Sequence, residues 1–537
     1  MSRREPYENA SKPAEGDGAK LFWKSLESKQ NPAGAEVAAA SEFMPGAVGD
    51  VVKPKPEELK ARLSRRGFLG FGAATAALMS EACIRRPVEK ILPYTKAPEH
   101  LIPGVSAYYA TIVPVRGEVI GALVESHEGR PTKIEGNVDH PMSVGGADLL
   151  MQASVMDLYD PDRAATVRQG GAKSDAAAFD AAVLALLKEA GGDGGAKVRV
   201  LLCPTVSPTV IRLRELAKQR FPHLRFHTYT SVPESNSREG GRIAFGQPVS
   251  TICDFAAAKV ILSLDADFLQ TEQGSVRAAR GFAKGRKIEK PTDSMSRLYV
   301  VESTTSVTGA NADHRLRIPA RDVDAYARAL AFELATAHGA ELGAVKGALG
   351  DGKAPAGVDA RWIKAVAKDL AANKGKCVVV AGRRQPPHVH ALVHALNTAL
   401  DNVGVTVTYT PVVDTVEPVH FGLDLKTLAD DIDGGKVDTL FILGGNPVYD
   451  APGDVKLGER LKKVKTSIHL SPTNDETSEA ATWHVPMAHE LECWGDGRSL
   501  DGSWSIQQPL IEPLYQGRSI IELLAVLADV PAAQARG

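Results

Sequence analysis

The chain reads Val198-Arg199-Val200-Leu201-Leu202, breaks at Cys203-Pro204, carries a helical pattern over Pro208–Arg220, and returns to Arg225-Phe226-His227-Thr228-Tyr229. Two short apolar runs joined by an amphipathic helix make a βαβ unit, whose parallel strands are buried on both faces. The pattern continues outward: helices near Ala176–Glu189 and Ser237–Ala244 alternate with strands at Val260–Leu264 and Leu298–Val301. Helical patterns at Val323–Ala337 and Ala360–Ala372 lead into a second set. Its strands fall at Cys377–Val380, Val405–Tyr409, Thr439–Leu443 and Ser467–Leu470, its helices near Val389–Ala399, Leu425–Ile432, Asp454–Lys462 and Ser519–Leu527. The spacing predicts an α/β fold with two doubly wound parallel-sheet domains, over residues 174–338 and 339–537. The Gly- and Lys-rich stretch Gly339–Lys353 reads as a surface excursion near their junction.

Upstream the pattern changes. Residues 88–173 read as a small β-rich lobe, with strands at Ala107–Val115, Val119–Glu125 and Thr132–Glu135 joined by turns at Arg116-Gly117 and Glu128-Gly129-Arg130. Residues 1–62 are polar and read as a tail too poor in apolar clusters to offset its ordering entropy. Between them, in 63–87, Ser64-Arg65-Arg66-Gly67-Phe68-Leu69 precedes the modestly apolar Gly70–Met79, the layout of a twin-arginine export signal read through Arg65 and Arg66. Its position behind a long polar tail is unusual. The run is too short and glycine-rich for a span of about 20 residues, and Cys83 just beyond it is a candidate for lipidation. A chain exported this way belongs on the periplasmic side of the inner membrane, associated with it.

The 537 residues include 63 Lys+Arg against 65 Asp+Glu, a net charge of −2, which lacks the basic excess of a nucleic-acid binder. Composition, 44% hydrophobic and 24% charged, excludes both wholesale disorder and a polytopic membrane protein. The 5 cysteines, Cys83, Cys203, Cys253, Cys377 and Cys493, are scattered and form no C-x-x-C pair.

Glu128-Gly129-Arg130-Pro131-Thr132-Lys133-Ile134-Glu135-Gly136-Asn137, followed by Asp139-His140-Pro141, resembles the N-terminal segment of the molybdopterin oxidoreductases. Ala310–Arg317 with Asp322 resembles their nucleotide-reading segment, and Gly444-Gly445-Asn446-Pro447, Thr477–Pro486 and Gly495–Gly502 resemble their second α/β domain. Arg86-Pro87, Glu89–Tyr94, Tyr108–Thr111, Val124–Gly136 and Leu158–Arg163, behind a delayed twin-arginine signal, resemble the B subunit of bacterial alternative complex III. That resemblance implies a molybdopterin-like scaffold without molybdenum. Its implied partners are a ferredoxin-like iron–sulfur subunit, a multihaem cytochrome c subunit and a quinone-binding integral membrane subunit.

Residue chemistry bears on each cofactor of the wider family. A [4Fe–4S] cluster takes about four thiolates, but no cysteine lies between Cys83 and Cys203, and the turn where a fourth ligand would sit reads Gly145-Gly146-Ala147-Asp148. A pterin dinucleotide needs strand-end loops whose N–H groups face its diphosphate. Gly444-Gly445-Asn446 meets that need, although Gly-Gly-Asn-Pro is also ordinary strand-to-helix turn chemistry. Strand Val260–Leu264 instead ends in Asp265-Ala266-Asp267-Phe268, and each carboxylate at about 4 Å from a phosphate would cost on the order of 4 kcal/mol at an effective dielectric of ~20. The pair reads as a solvated loop or a helix N-cap at Asp267. Cys203 and Ser207 are the candidates for a molybdenum ligand, with plain packing as the alternative for Cys203.

His388, His390 and His394 fall at i, i+2 and i+6 of one helix; only His390 and His394 share a face, and the group reads as a solvated surface. No Gly-x-Ser-x-Gly elbow supports nucleophilic catalysis. The expectation is a non-catalytic, cofactor-free scaffold subunit of a membrane-bound quinol-oxidising complex. The alternative is an oxidoreductase using bis-molybdopterin guanine dinucleotide, with Gly444, Gly445, Asn446, Asp322 and Cys203 as its binding residues.

Overall fold

The computed structural model describes residues 102, 104–115, 117–412, 414 and 421–531. Arg65, Arg66 and Cys83, with the tail and the signal segment, lie outside them. The β-rich lobe is a three-stranded antiparallel meander of Ala107–Val115, Glu118–His127 and Arg130–Gly136. Helix Leu149–Leu158 closes it, started by Asp148, whose carboxylate accepts from the Met151 N–H at 2.7 Å. Gly136 lies against the Gly146 backbone and Gly121 against the His140 ring, so that a Cβ on either would overlap its neighbour. The turn 140–146 therefore seats directly on the meander.

Beyond the lobe lie two sheets, one of four parallel strands and one of seven with an antiparallel edge, and they are not successive halves of the chain. Strand Val198–Leu202 pairs with Thr439–Leu443, Leu202 opposite Leu443, inside a seven-stranded sheet that also holds Arg225–Thr228, Thr466–Ser471 and Trp483–Pro486. Strand Val260–Leu264 sits between Arg297–Glu302 and Cys377–Ala381 in a four-stranded sheet edged by His314–Arg317. Strands assigned above to 174–338 and 339–537 are thus interleaved. Periodicity reports that a strand is buried on both faces, and that requirement is the same for any neighbour.

Alternate residues serve opposite faces. Val198, Val200 and Leu202 pack with helices Ala176–Ala190, Pro208–Arg220 and Ile520–Ala528, while Leu201 packs with Phe421–Asp433 and Leu457–Leu461. In the smaller sheet Val260, Leu262 and Leu264 meet helices Val323–Ala337, Ala360–Ala372 and Pro387–Ala399, and Ile261 meets Ser275–Gly285. The segment expected as a buried parallel strand at Val405–Tyr409 is displaced to Val407–Pro411. It pairs antiparallel with Val249–Cys253 in a separate two-stranded ribbon. The partner strand, Val249-Ser250-Thr251-Ile252-Cys253, is too polar to have been read as a strand beforehand. Among the described residues no helix is long and apolar enough to cross a membrane.

Candidate functional site

Open α/β sheets place ligands outside the carboxyl ends of their strands. Here a cavity of about 170 Å³ lies there, lined by Thr205 and Val206 beyond Val198–Leu202, by Ala266 and Phe268 beyond Val260–Leu264, and by Arg383 beyond Cys377–Ala381. The ribbon strand Val249–Cys253, helix Pro387–Ala399 and residues 498–500 complete its wall.

Its chemistry is carried by residues that no motif marked. Glu272 accepts from the Arg383 backbone N–H, and Arg383 Nη1 lies 3.7 Å from Glu234. Burial first, then the nearby Glu234 carboxylate, push the Glu272 carboxyl up to about 7, and burial also raises Glu234. Arg238 donates to the Asp414 carbonyl at 3.3 Å, while the Asp414 carboxylate receives Arg214 at 3.1 Å. The positional signal was available, since Glu272 and Arg383 both follow strand ends closely, but single charged residues in loops have no periodicity to mark them.

His390 and His394 are buried in this wall, not solvated as expected. The cause is the neighbouring helix Ser235–Phe245: Gly240 comes so close to helix Pro387–Ala399 that a Cβ there would overlap His390. Burial lowers both imidazoles to about 4, so they are neutral at pH 7. His394 Nδ1 meets the Tyr409 hydroxyl at 3.0 Å, whereas His390 Nε2 is buried without a partner. His388 is exposed, 3.3 Å from Asp324.

The other sequence candidates divide between places. Cys203 and Gly444-Gly445-Asn446 come together at the paired ends of Val198–Leu202 and Thr439–Leu443. Gly445 is at φ 75°, and a Cβ on it would stand 3.2 Å from Cys203 Sγ. Its carbonyl accepts from His469 Nε2 at 2.9 Å if that nitrogen carries the proton. Asn446 Oδ1 accepts from the Thr477 N–H and hydroxyl, and its amide donates to Glu476. Solvent reaches Cys203, but the atoms packed around it still disfavour a thiolate. That burial and the Asp450 carboxylate push its thiol up to about 11. Ser207 caps helix Pro208–Arg220 and donates to Asp496. Asp322 stands apart, opening helix Val323–Ala337 against the smaller sheet.

The donor set does not fit a pterin dinucleotide. Asp265, at φ 58°, accepts from Gln385 at 3.1 Å, and its carbonyl is pressed against Gly382, where a Cβ would overlap it. Asp267 accepts from the N–H and hydroxyl of Thr308 at 2.9 and 2.8 Å, linking this strand end to helix Val307–Ala310 rather than facing a solvated loop. The segment Ala310–Arg317 is likewise turned to its own chain, with Arg315 Nε 2.5 Å from Glu302, which also accepts from Ser306. Burial pushes the thiols of Cys253 and Cys493 up to about 12 and that of Cys377 up to about 11.

No protein-family model matches the chain. Among curated proteins it is similar to the menaquinone reductase, molybdopterin-binding-like subunit, of Nitratidesulfovibrio vulgaris, at 24% identity over 510 residues that cover 87% of this chain and 72% of the relative. Among solved structures it is similar to acetylene hydratase from Pelobacter acetylenicus, with a TM-score of 0.59 and 13% identity, covering 78% of this chain and 69% of that one. Likeness at that identity shows the fold alone. With its small β lobe and its parallel sheets, the chain has a molybdopterin-oxidoreductase-like α/β fold.

Proposed function

We propose that this chain is a subunit of a membrane-associated quinone or quinol oxidoreductase complex of the alternative complex III kind, and that it serves there as a cofactor-free scaffold. One observation carries the reading. The strand end where a diphosphate would need N–H donors presents instead the carboxylates of Asp265 and Asp267, which accept from Gln385 and Thr308. The cavity beside them, about 170 Å³, is small against the roughly 300–1,000 Å³ of ordinary cofactor sites. The name of the curated relative, a molybdopterin-binding-like subunit of a menaquinone reductase, supports membership of a quinone-linked complex.

In this role the chain holds an iron–sulfur subunit, a multihaem cytochrome c and a quinone-binding membrane subunit in place, on the periplasmic side after twin-arginine export. Exposed Tyr108, Tyr109 and Trp504, with Ile506 near Trp504 in sequence on the hairpin, supply the aromatic and apolar surface that protein interfaces favour. The test is genetic and biochemical together. Deleting the chain disperses the complex, whereas Cys203→Ser, Cys253→Ser, Cys377→Ser and Cys493→Ser each leave quinol oxidation within about twofold in assembled complex. Loss of turnover in one of them without loss of assembly would assign that thiol to a cofactor and favour the bis-molybdopterin guanine dinucleotide enzyme instead.

A further inference from the structure

We propose that the outer face of helix Leu149–Leu158 is a docking surface for a second protein whose contact face is apolar at its centre and rimmed with Lys or Arg. The sequence Leu149-Leu150-Met151-Gln152-Ala153-Ser154-Val155-Met156-Asp157-Leu158 carries apolar side chains on its outer as well as its inner side, with Gln152 and Asp157 exposed among them. Large apolar side chains grouped on an outer face mark a contact surface. Only one side is covered here: Met151, Ser154 and Leu158 face the meander, while Leu149 is 79% exposed, Met156 72% and Leu150 51%. Val138, 68% exposed, lies beside Gly145 in the turn that leads to this helix. Leu149 and Met156 are seven residues apart, two turns along one stripe of the helix.

Charge around the patch identifies what covers it. Residues 134–162 hold six carboxylates, Glu135, Asp139, Asp148, Asp157, Asp160 and Asp162, and neither a Lys nor an Arg; from other segments Arg280 approaches Gly145 and Arg130 covers the Tyr159 ring, so carboxylates still outnumber cations at the Asp157–Asp162 end of the helix. Glu135 is balanced by Lys133 from outside that stretch. Asp139, Asp157 and Asp162 are exposed beside the apolar positions, and Asp160 follows at the end of the helix. An acidic rim repels the anionic headgroups of a bilayer and repels a second copy of the same patch, and it steers a basic protein face onto the apolar centre. The surface goes beyond the scaffold role, since it names the chemistry of one partner and does not depend on which redox group that partner carries.

A photo-crosslinking amino acid placed at position 149 or 156 of the full chain, in its native assembled complex, tests this. The expected result is a covalent adduct with a different polypeptide, at a peptide containing at least two Lys or Arg. Its yield should fall about tenfold in the D157K/D160K/D162K background and fall again as salt is raised. Unchanged thermal midpoints of the variants would show that folding is intact, because the substituted side chains lie at the surface. Adducts with this chain's own residues, with a second copy or with lipid, the lack of any adduct, or a yield indifferent to charge reversal would each overturn the proposal. A basic partner without haem or cluster would uphold it while counting against the respiratory reading.

Discussion

Arg163 grips Glu492 with two nitrogens, 2.7 Å from Nη2 to Oε2 and 3.0 Å from Nη1 to Oε1, at side-chain exposures of 3% and 0%. The pair joins the end of the β lobe to the C-terminal segment, and Glu492 also accepts the N–H groups of His489 and Leu514. Replacing one partner strands a buried charge, so Arg163→Met should cost about 3–5 kcal/mol in urea denaturation, and R163M/E492Q should recover much of it. Burial opposes ionisation of Glu492, yet Arg163 and the two N–H groups outweigh it and hold the carboxyl below its usual value near 4.5. The stabilisation is therefore present above that value and is lost as pH falls through the lower folded-state pKa.

Glu272 titrates in the opposite sense. Its carboxyl rises from 4.5 to about 7 on folding, so between those values the folded chain holds a proton that the unfolded chain has released. Stability should fall as pH rises across that window and level off above it. Denaturation midpoints of Glu272→Gln, measured from pH 4.5 to 8, should lose this slope.

Much of this fold was legible in the sequence because periodicity carries it. Helices Pro208–Arg220, Val323–Ala337 and Ala360–Ala372 fall where the pattern put them. Strand partnership was not legible: Val198–Leu202 would satisfy its two buried faces in either sheet, and only the tertiary structure seats it beside Thr439–Leu443. The histidines of helix Pro387–Ala399 were misread for a related reason. Gly240, which draws the two helices together, lies some 150 residues upstream of His390, and a glycine in a sequence does not name what approaches it.

Gly445 tests whether the glycine turn serves the chain's own packing. Gly445→Ala meets both a φ of 75° and Cys203 Sγ at 3.2 Å, and it should cost roughly 1–3 kcal/mol. In C203A/G445A the steric part disappears and the dihedral part stays, so a thermal melt should show partial recovery. Full additivity of the two substitutions would mean the contact has no energetic weight.

Export should depend on the paired arginines. R65K/R66K, which keeps the charge and changes the side-chain geometry, should leave folded chain in the cytoplasm, read by fractionation and immunoblot. Normal periplasmic yield would remove the twin-arginine route.

The central claim is that no redox centre resides in this chain, and content per polypeptide tests it most directly. Chain purified from its native host, alone after dissociation of the complex, should hold well under one molybdenum and one iron per polypeptide by elemental analysis, and should release no guanine nucleotide on denaturation. Stoichiometric molybdenum together with released guanine nucleotide would contradict the scaffold account and establish the chain as a cofactor-bearing oxidoreductase.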